Sequence, residues 1–240
     1  NDSITKNIST ILGLELFDNN LFGISNIEAR TMDPQQRHLL KSTMNALISS
    51  GNSIESIKNT DTGVFVGLCN IDWSMYLLNE KSCNSAYIGT GTASSIASNR
   101  LSYFYGIKGP SITIDTACSS SLVAIDAAFK NISLGICEMA IVSGSQLITT
   151  PNLFSVFSRA NMLSKDGLCK SFDESADGFG RGEGVATVVL KKFNLENESN
   201  GIVLGILRGT AVNQDGRTAS LTAPSSKSQS DVISHALFRS

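Results

Sequence analysis

The sequence predicts an α/β protein in which a mostly parallel sheet is covered by helices on both faces. Two observations predict this fold class. Short, continuous apolar runs alternate along the chain with longer segments whose apolar residues recur at helical spacing. Such runs are typical of parallel strands, because a strand covered on both faces has no polar side. The 240 residues are 41% hydrophobic and 17% charged, which fits a globular protein of one large domain or two small ones.

The predicted helices are bounded by caps and glycines. Asp33 and Pro34 mark the start of the first helix, and Gly51 lies beyond its end. The further predicted helices cover residues 71–78, 92–105, 120–132 and 226–238, and Gly106 is predicted to end the second of these. The helix after Ser120 carries apolar residues on so many sides that we expect it to be buried all round.

The predicted strands are the apolar runs between these helices. They cover residues 62–68, 111–115, 140–142, 185–190 and 202–212. A glycine-rich stretch over 178–184 precedes the fourth strand. It lacks the lysine and the preceding strand of a P-loop, so we expect a flexible loop or a turn and no phosphate cradle.

Charge and hydropathy exclude two classes of partner. The 19 Lys and Arg residues are balanced by 21 Asp and Glu residues, for a net charge of −2. A nucleic-acid surface needs clustered cations, so none is expected. We also expect no membrane association, because no apolar run approaches the eighteen residues of a spanning helix. The start of the chain has neither a signal peptide nor a Met, so we expect a piece of a longer polypeptide.

The cysteines and histidines predict a reduced protein without a structural metal. Five cysteines form an odd set with no CxxC pair, and there are only two histidines, His38 and His235. We therefore expect a cytoplasmic location and free thiols. The cysteines outside the motif described next, which are Cys69, Cys83, Cys137 and Cys169, are interpreted as packing or surface thiols.

One cysteine stands at a predicted strand-to-helix turn. Cys118 follows the strand that ends at Asp115 and precedes the helix that begins about Ser119. The unpaired N–H groups and the positive dipole end of a helix N-terminus favour a thiolate, which is the nucleophilic form. The same N–H groups can face the oxyanion of an attacked thioester. The alternative from local features is a buried structural cysteine at a tight turn.

Several long motifs then resemble one family. DTACSSSLVAI, which contains Cys118, is similar to the active-site segment of the β-ketoacyl synthases of polyketide synthases. FDNNLFGIS, MDPQQRHLL, GLCKSFDESADGFGRGEG and GTAVNQDGRTASLTAP resemble further family motifs in the same order and spacing. The resemblance runs from about Leu16 to Leu237, nearly the whole chain.

The resemblance implies a thiolase-like fold of layered αβαβα architecture. The chain would hold an incomplete domain: most of the N-terminal half to about residue 190, and the start of the C-terminal half over residues 200–240. The family's opening strand is absent. Members of the family are normally homodimers, so a homodimer is expected.

The resemblance also implies the reaction. By motif match, Cys118 accepts an acyl group from the phosphopantetheine thiol of an acyl carrier protein, and its backbone N–H is part of the oxyanion hole. A malonyl thioester is then decarboxylated, and its carbanion attacks the acyl group. No cofactor binds the chain directly, since the phosphopantetheine belongs to the carrier protein.

The family's two decarboxylation histidines, in EAHGTGT-like and K-x-x-x-GH motifs, would lie beyond this chain. His38 and His235 match ordinary helical positions instead. Three interpretations remain open: part of a working condensing enzyme, a truncated paralogue that does not condense, and a thiolase-like acyltransferase.

Overall fold

The computed structural model describes residues 7–79, 85–193 and 202–240. The strands are β1 (Gly63–Leu68), β2 (Ser111–Ile114), β3 (Met139–Gln146) and β4 (Gly184–Lys191). The helices are α1 (Asn26–Thr31), α2 (Pro34–Ser49), α3 (Ile54–Ile57), α4 (Asp72–Asn79), α5 (Ile88–Thr92), α6 (Ser95–Tyr105), α7 (Ser120–Ser133), α8 (Asn152–Arg159) and α9 (Ser226–Phe238).

The four strands form one sheet in the order β2-β1-β3-β4. Strand β1 is parallel to both β2 and β3, whereas β4 runs antiparallel to β3. Helices lie in the connections between the parallel strands, as a parallel arrangement requires. The prediction of a mostly parallel sheet is confirmed.

Helices cover both faces of the sheet. On the first, which we call the α2–α6 face, Val64 and Val66 pack in one core with Leu39 and Leu101. On the second face, which we call the α7 face, Phe65 of β1 packs in one core with residues of α7. The two faces therefore follow the two-residue alternation of β1.

The caps predicted for two helices are present. The Asp33 side chain accepts a hydrogen bond from the Gln35 N–H at the start of α2. Gly106 ends α6 in the left-handed conformation, with φ +65°. The predicted helices and the first four predicted strands are all found, with shifts of a few residues at their ends. Thr92, predicted to start α6, instead ends the short helix α5.

The strand predicted over 202–212 is wrong. This segment forms no strand and lies largely exposed, with Leu204 94% accessible. A strand needs a hydrogen-bonding neighbour, and the segment finds none among the described residues. It is attached by side chains instead: the Thr210 hydroxyl donates to Asp126 of α7 at 2.8 Å.

The expectation that α7 is buried all round is also wrong. Its buried residues are Ser120, Ala124, Asp126 and Ala128, while Leu122 is 68% exposed. Within the described part of the chain, the sheet covers the side with Ala124 and Ala128, and the segment around Thr210 contacts the opposite side at Asp126.

Two further points concern the extent of the chain. None of the helices in the described ranges combines the length and hydropathy of a membrane span. The division between two halves near residues 190–200 stays a prediction, since part of it falls on residues 194–201, outside the described ranges.

Candidate active site

Cys118 lies on the turn that joins β2 to α7. A single 3-10 turn over Ala117–Ser119 precedes the first residue of α7, Ser120. Ala117 adopts φ +55°, a left-handed conformation that costs an L-residue roughly 1–2 kcal/mol. The Cys118 side chain is exposed. The predicted position at a helix N-terminus is therefore confirmed, and the alternative of a buried cysteine is not.

Side-chain hydrogen bonds hold this turn in shape. The Thr116 N–H donates to the Ser120 hydroxyl oxygen at 2.9 Å, and that hydroxyl donates to the Ala117 carbonyl at 2.7 Å. The Ala117 N–H donates to an Asp115 carboxylate oxygen at 3.0 Å. These bonds stabilise the left-handed residue directly before Cys118.

Two glycines allow the start of α7 to approach the sheet. A Cβ atom on Gly67 of β1 would lie 2.4 Å from the Ser121 backbone nitrogen, and one on Gly144 of β3 would lie 2.9 Å from the Ser121 Cβ. Because real Cβ atoms do not come this close, any larger residue would push α7 outward. Gly67 and Gly144 therefore set the depth at which the Cys118 turn sits.

Cys69 lies at the same end of the sheet as Cys118. It follows the last residue of β1, is exposed, and its sulfur is 3.8 Å from the Gln146 amide oxygen. Burial raises the pKa of the Cys69 thiol, and the charges of Asp115 and Cys118 raise it further. Cys69 is therefore held in its protonated form, which is a poor nucleophile.

The histidines do not approach this turn as catalytic partners. His38 on α2 is buried, and its Nε2 lies 2.9 Å from the Leu14 carbonyl oxygen. Burial lowers its pKa, consistent with a neutral packing residue. His235 lies exposed on α9.

The other cysteines have separate places. Cys137 is buried in the core of the α7 face, and burial raises its pKa. Cys169 is exposed, and its sulfur accepts a hydrogen bond from the Gly180 N–H at 3.3 Å. Cys83 lies outside the described residues.

The glycine-rich stretch over 178–184 is paired rather than a free loop. The Phe179 N–H donates to the Met162 carbonyl, and the Phe179 carbonyl accepts from the Ser164 N–H, both at 3.0 Å. A Cβ on Gly180 would lie 2.0 Å from the Gly167 carbonyl oxygen. The glycines thus serve close contact between two backbone segments, and the expectation of a flexible loop is corrected.

The guanidinium of Arg181, within this stretch, is buried against aromatic rings. Its central carbon lies 4.7 Å from the ring centre of Phe154 and 5.4 Å from that of Phe157, both on α8. Burial lowers its pKa, while the charges of Asp72 and Cys69 oppose that shift. Arg181 therefore connects α8 with the segment that follows β1.

Sequence reasoning found Cys118 but missed Gly67, Gly144 and Cys69. The two-residue periodicity of a strand was a usable signal for Gly67 and Cys69, because it places every second residue of this segment on the same face of the sheet. Which face would receive α7 depends on packing, and no local pattern reports it.

The family model for the β-ketoacyl synthase N-terminal domain matches residues 2–195. The chain belongs to the β-ketoacyl synthase family. The equisetin synthetase of Fusarium heterosporum is 46% identical to it over 217 residues, which is 90% of this chain and 6% of that protein. The polyketide synthase PksN of Bacillus subtilis (strain 168) is 43% identical over 224 residues, which is 93% of this chain and 4% of that protein.

Solved ketosynthase structures match the fold. The ketosynthase from module 6 of the bacillaene synthase of Bacillus subtilis 168 superposes with a TM-score of 0.86 at 36% identity. That match covers 94% of this chain and 38% of the solved chain. The oxazolomycin ketosynthase domain of Streptomyces albus JA3453 superposes with a TM-score of 0.86 at 33% identity, over 95% of this chain and 40% of that chain.

These matches confirm the predicted fold class. The chain carries part of the thiolase-like fold that the ketosynthase domains of polyketide synthases share. The chain spans less than a tenth of the two synthases it matches, and about two fifths of the solved ketosynthase chains.

Proposed function

We propose that Cys118 is the acyl-accepting nucleophile of a polyketide synthase ketosynthase. The observation that carries this proposal is an exposed thiol at the start of α7, directly after a residue in the left-handed conformation. The start of a helix has unpaired N–H groups, and these can stabilise the oxyanion that forms when a thiol at this place attacks a thioester. Cys69, the neighbouring exposed thiol, is held protonated, which leaves Cys118 as the nucleophile at this end of the sheet.

The proposed first step is transfer of an acyl group between two sulfur atoms. The Cys118 thiolate attacks the carbonyl carbon of an acyl thioester on the phosphopantetheine arm of an acyl carrier protein. The carbonyl oxygen becomes an oxyanion, which the Cys118 backbone N–H stabilises. The oxyanion collapses, the carrier thiolate leaves and takes up a proton, and the acyl group stays on Cys118.

The proposed second step uses a malonyl thioester. Loss of carbon dioxide leaves a carbanion equivalent, which attacks the Cys118 thioester and frees the enzyme thiolate. Positioned hydrogen-bond donors that stabilise the developing enolate oxygen contribute about 10²–10³-fold to such a step. His38 is engaged with the Leu14 carbonyl and His235 lies exposed on α9, so we assign neither of them to this step.

A homodimer is part of the proposal. Strand β2 pairs only with β1 among the described residues, so its outer edge has free backbone groups, and Ile112 on it is 42% exposed. Unpaired edges associate with other strands. Sedimentation of the wild type and of Ile112→Lys tests this: a monomeric wild type would contradict the homodimer, and an Ile112→Lys variant that is as dimeric as the wild type would contradict the role of the β2 edge. We also propose a cytoplasmic location, which the free thiols support.

The central experiment measures acyl transfer to the protein by intact mass. The protein is incubated with an acyl-carrier thioester, and Cys118→Ala is compared with Cys169→Ala, which removes another exposed thiol. We expect the acyl adduct on the wild type and on Cys169→Ala, and none on Cys118→Ala. An adduct that persists on Cys118→Ala would show that another residue is the nucleophile.

A second arm adds the malonyl-carrier thioester and measures β-ketoacyl product. Product formation identifies a condensing enzyme. An adduct without product would favour an acyltransferase or a paralogue that does not condense.

A further inference from the structure

The alternation of β1 brings Cys69 to the turn that carries Cys118. Phe65 packs in one core with Ala124 and Ala128, near the middle of α7. Two residues later, Gly67 lies against the backbone of Ser120 and Ser121, in the first turn of the helix. Helix α7 therefore runs antiparallel to β1.

Cys69 directly follows β1, two residues after Gly67, at the position where the strand would continue this face. One further step of two residues advances the strand by about 6.6 Å. The helix has already reached its first residue, so Cys69 faces the turn that precedes it, where Cys118 lies.

Two further observations place the Cys69 thiol there. Leu68 pairs with Ser145, and Cys69 continues that register beside Gln146, whose amide oxygen contacts its sulfur. The charge of Cys118 also raises the pKa of the Cys69 thiol, which agrees with the placement that the packing of α7 on β1 gives. Both thiols are exposed, so a small oxidant reaches either of them.

We infer that Cys69 is a resolving thiol for Cys118, and that oxidation joins the two in a reversible disulfide. The inference rests on the proposed function in one respect, namely that Cys118 is the reactive thiol. The pair protects the nucleophile, because a disulfide is reducible whereas sulfinic and sulfonic acids of a cysteine are not restored by thiols.

The oxidant is a peroxide, and the electrons balance in two steps. The Cys118 thiolate attacks one peroxide oxygen, the O–O bond breaks, hydroxide leaves, and Cys118 becomes a sulfenic acid. The Cys69 thiolate then attacks the Cys118 sulfur, the S–O bond breaks and the S–S bond forms. Overall, two thiols and one hydrogen peroxide give one disulfide and two waters. A dithiol reductant reverses the change.

The second step depends on pH. Asp115, Cys118 and Arg181 are the charged or titratable groups that act on Cys69, and only Arg181 lowers its pKa. Since the Cys69 thiol is protonated near neutral pH, resolution requires its deprotonation. Disulfide formation after oxidation of Cys118 should therefore be faster at pH 8.5 than at pH 7.

The experiment treats the wild type, Cys69→Ser and the matched control Cys169→Ser with hydrogen peroxide. Each sample is digested without reductant and analysed by mass spectrometry. We expect a peptide pair linked through Cys69 and Cys118 in the wild type and in Cys169→Ser. After dithiothreitol, iodoacetamide labels Cys118 again in both. In Cys69→Ser we expect no such link, and irreversible over-oxidation of Cys118.

Absence of the linked peptide in the wild type would overturn the inference, as would equal recovery of Cys118 in the wild type and in Cys69→Ser. Iodoacetamide labelling before oxidation separates this from failure of the proposed function. An unreactive Cys118 would contradict the proposed function, whereas a reactive Cys118 that forms no link would contradict only the role of Cys69.

Discussion

The two faces of the sheet are packed differently at the positions of β1 that are nearest the candidate site. On the α2–α6 face, Leu39, Leu101 and Tyr105 are fully buried against Val64 and Val66. On the α7 face, the contact nearest the candidate site is made by glycines. There the backbone of α7 lies so close to Gly67 that any side chain on this residue would overlap it.

This difference separates stability from positioning. Large buried side chains contribute most of the apolar area that is removed from water, at roughly 25 cal/mol per Å². Glycines bury little area but permit a close approach that larger residues forbid. The α2–α6 face therefore contributes the larger share of the buried core, and the glycine contact on the α7 face sets the place of Cys118.

The largest expected effect on stability lies on the α2–α6 face. Leu101→Ala removes a fully buried side chain from α6, and such a change costs about 2–5 kcal/mol in free energy of unfolding. Urea denaturation measures the loss. The rate at which iodoacetamide labels Cys118 in the folded protein should stay unchanged. A slower rate would show that the two faces are not separate in function.

The second prediction concerns the polar end of α2. Burial raises the pKa of Asp33 from 3.8 to about 6. Between these two values the native state binds more protons than the unfolded state, so the free energy of unfolding falls as pH rises. At 1.36 kcal/mol per pKa unit, the fall amounts to about 3 kcal/mol by pH 7.

Asp33→Asn keeps a residue suited to cap a helix but removes the titration. We expect the variant and the wild type to be similarly stable below pH 4, and the variant to be the more stable above pH 6. Urea denaturation across pH 4–7 provides the comparison. Parallel pH profiles for the two proteins would contradict the raised pKa.

The smallest expected loss of stability comes with a specific effect on the site. Gly67→Ala places a Cβ against the backbone of Ser120 and Ser121, an overpacking that costs about 1–3 kcal/mol. Acyl transfer to Cys118 should fall, while alkylation of Cys169 should not. Gly89→Ala is the matched control, because a Cβ there meets no atom within 4 Å. Equal acyl transfer by Gly67→Ala and the wild type would disprove the positioning role.

Local signals predicted the elements that carry their own boundaries. Asp33 and Pro34 start α2, and Gly106 ends α6, because caps act through neighbouring backbone groups. The segment over 202–212 has the apolar pattern of a strand but forms none. A strand depends on a partner distant in sequence, which the pattern does not report.

In the candidate site, too, local signals predicted some residues, whereas others depend on contacts between segments that are distant in sequence. The position of Cys118 follows from a strand, a turn and a helix that are consecutive in the sequence. Cys69 lies 49 positions earlier, and only the packing of α7 on β1 brings it to the same place. The short helices α1, α3 and α5 were also missed, since so few residues show little periodicity, and α8 was missed although its apolar residues recur at helical spacing.

The hydrogen bond between Thr210 and Asp126 has a mechanical consequence. Asp126 lies six residues into α7 and also accepts a hydrogen bond from Lys130 at 2.6 Å. At 1.5 Å of rise per residue, it stands about 9 Å along a stiff rod from Ser120. The segment around Thr210 is therefore anchored near the middle of the helix that begins beside Cys118, so the two parts of the chain share one rigid support.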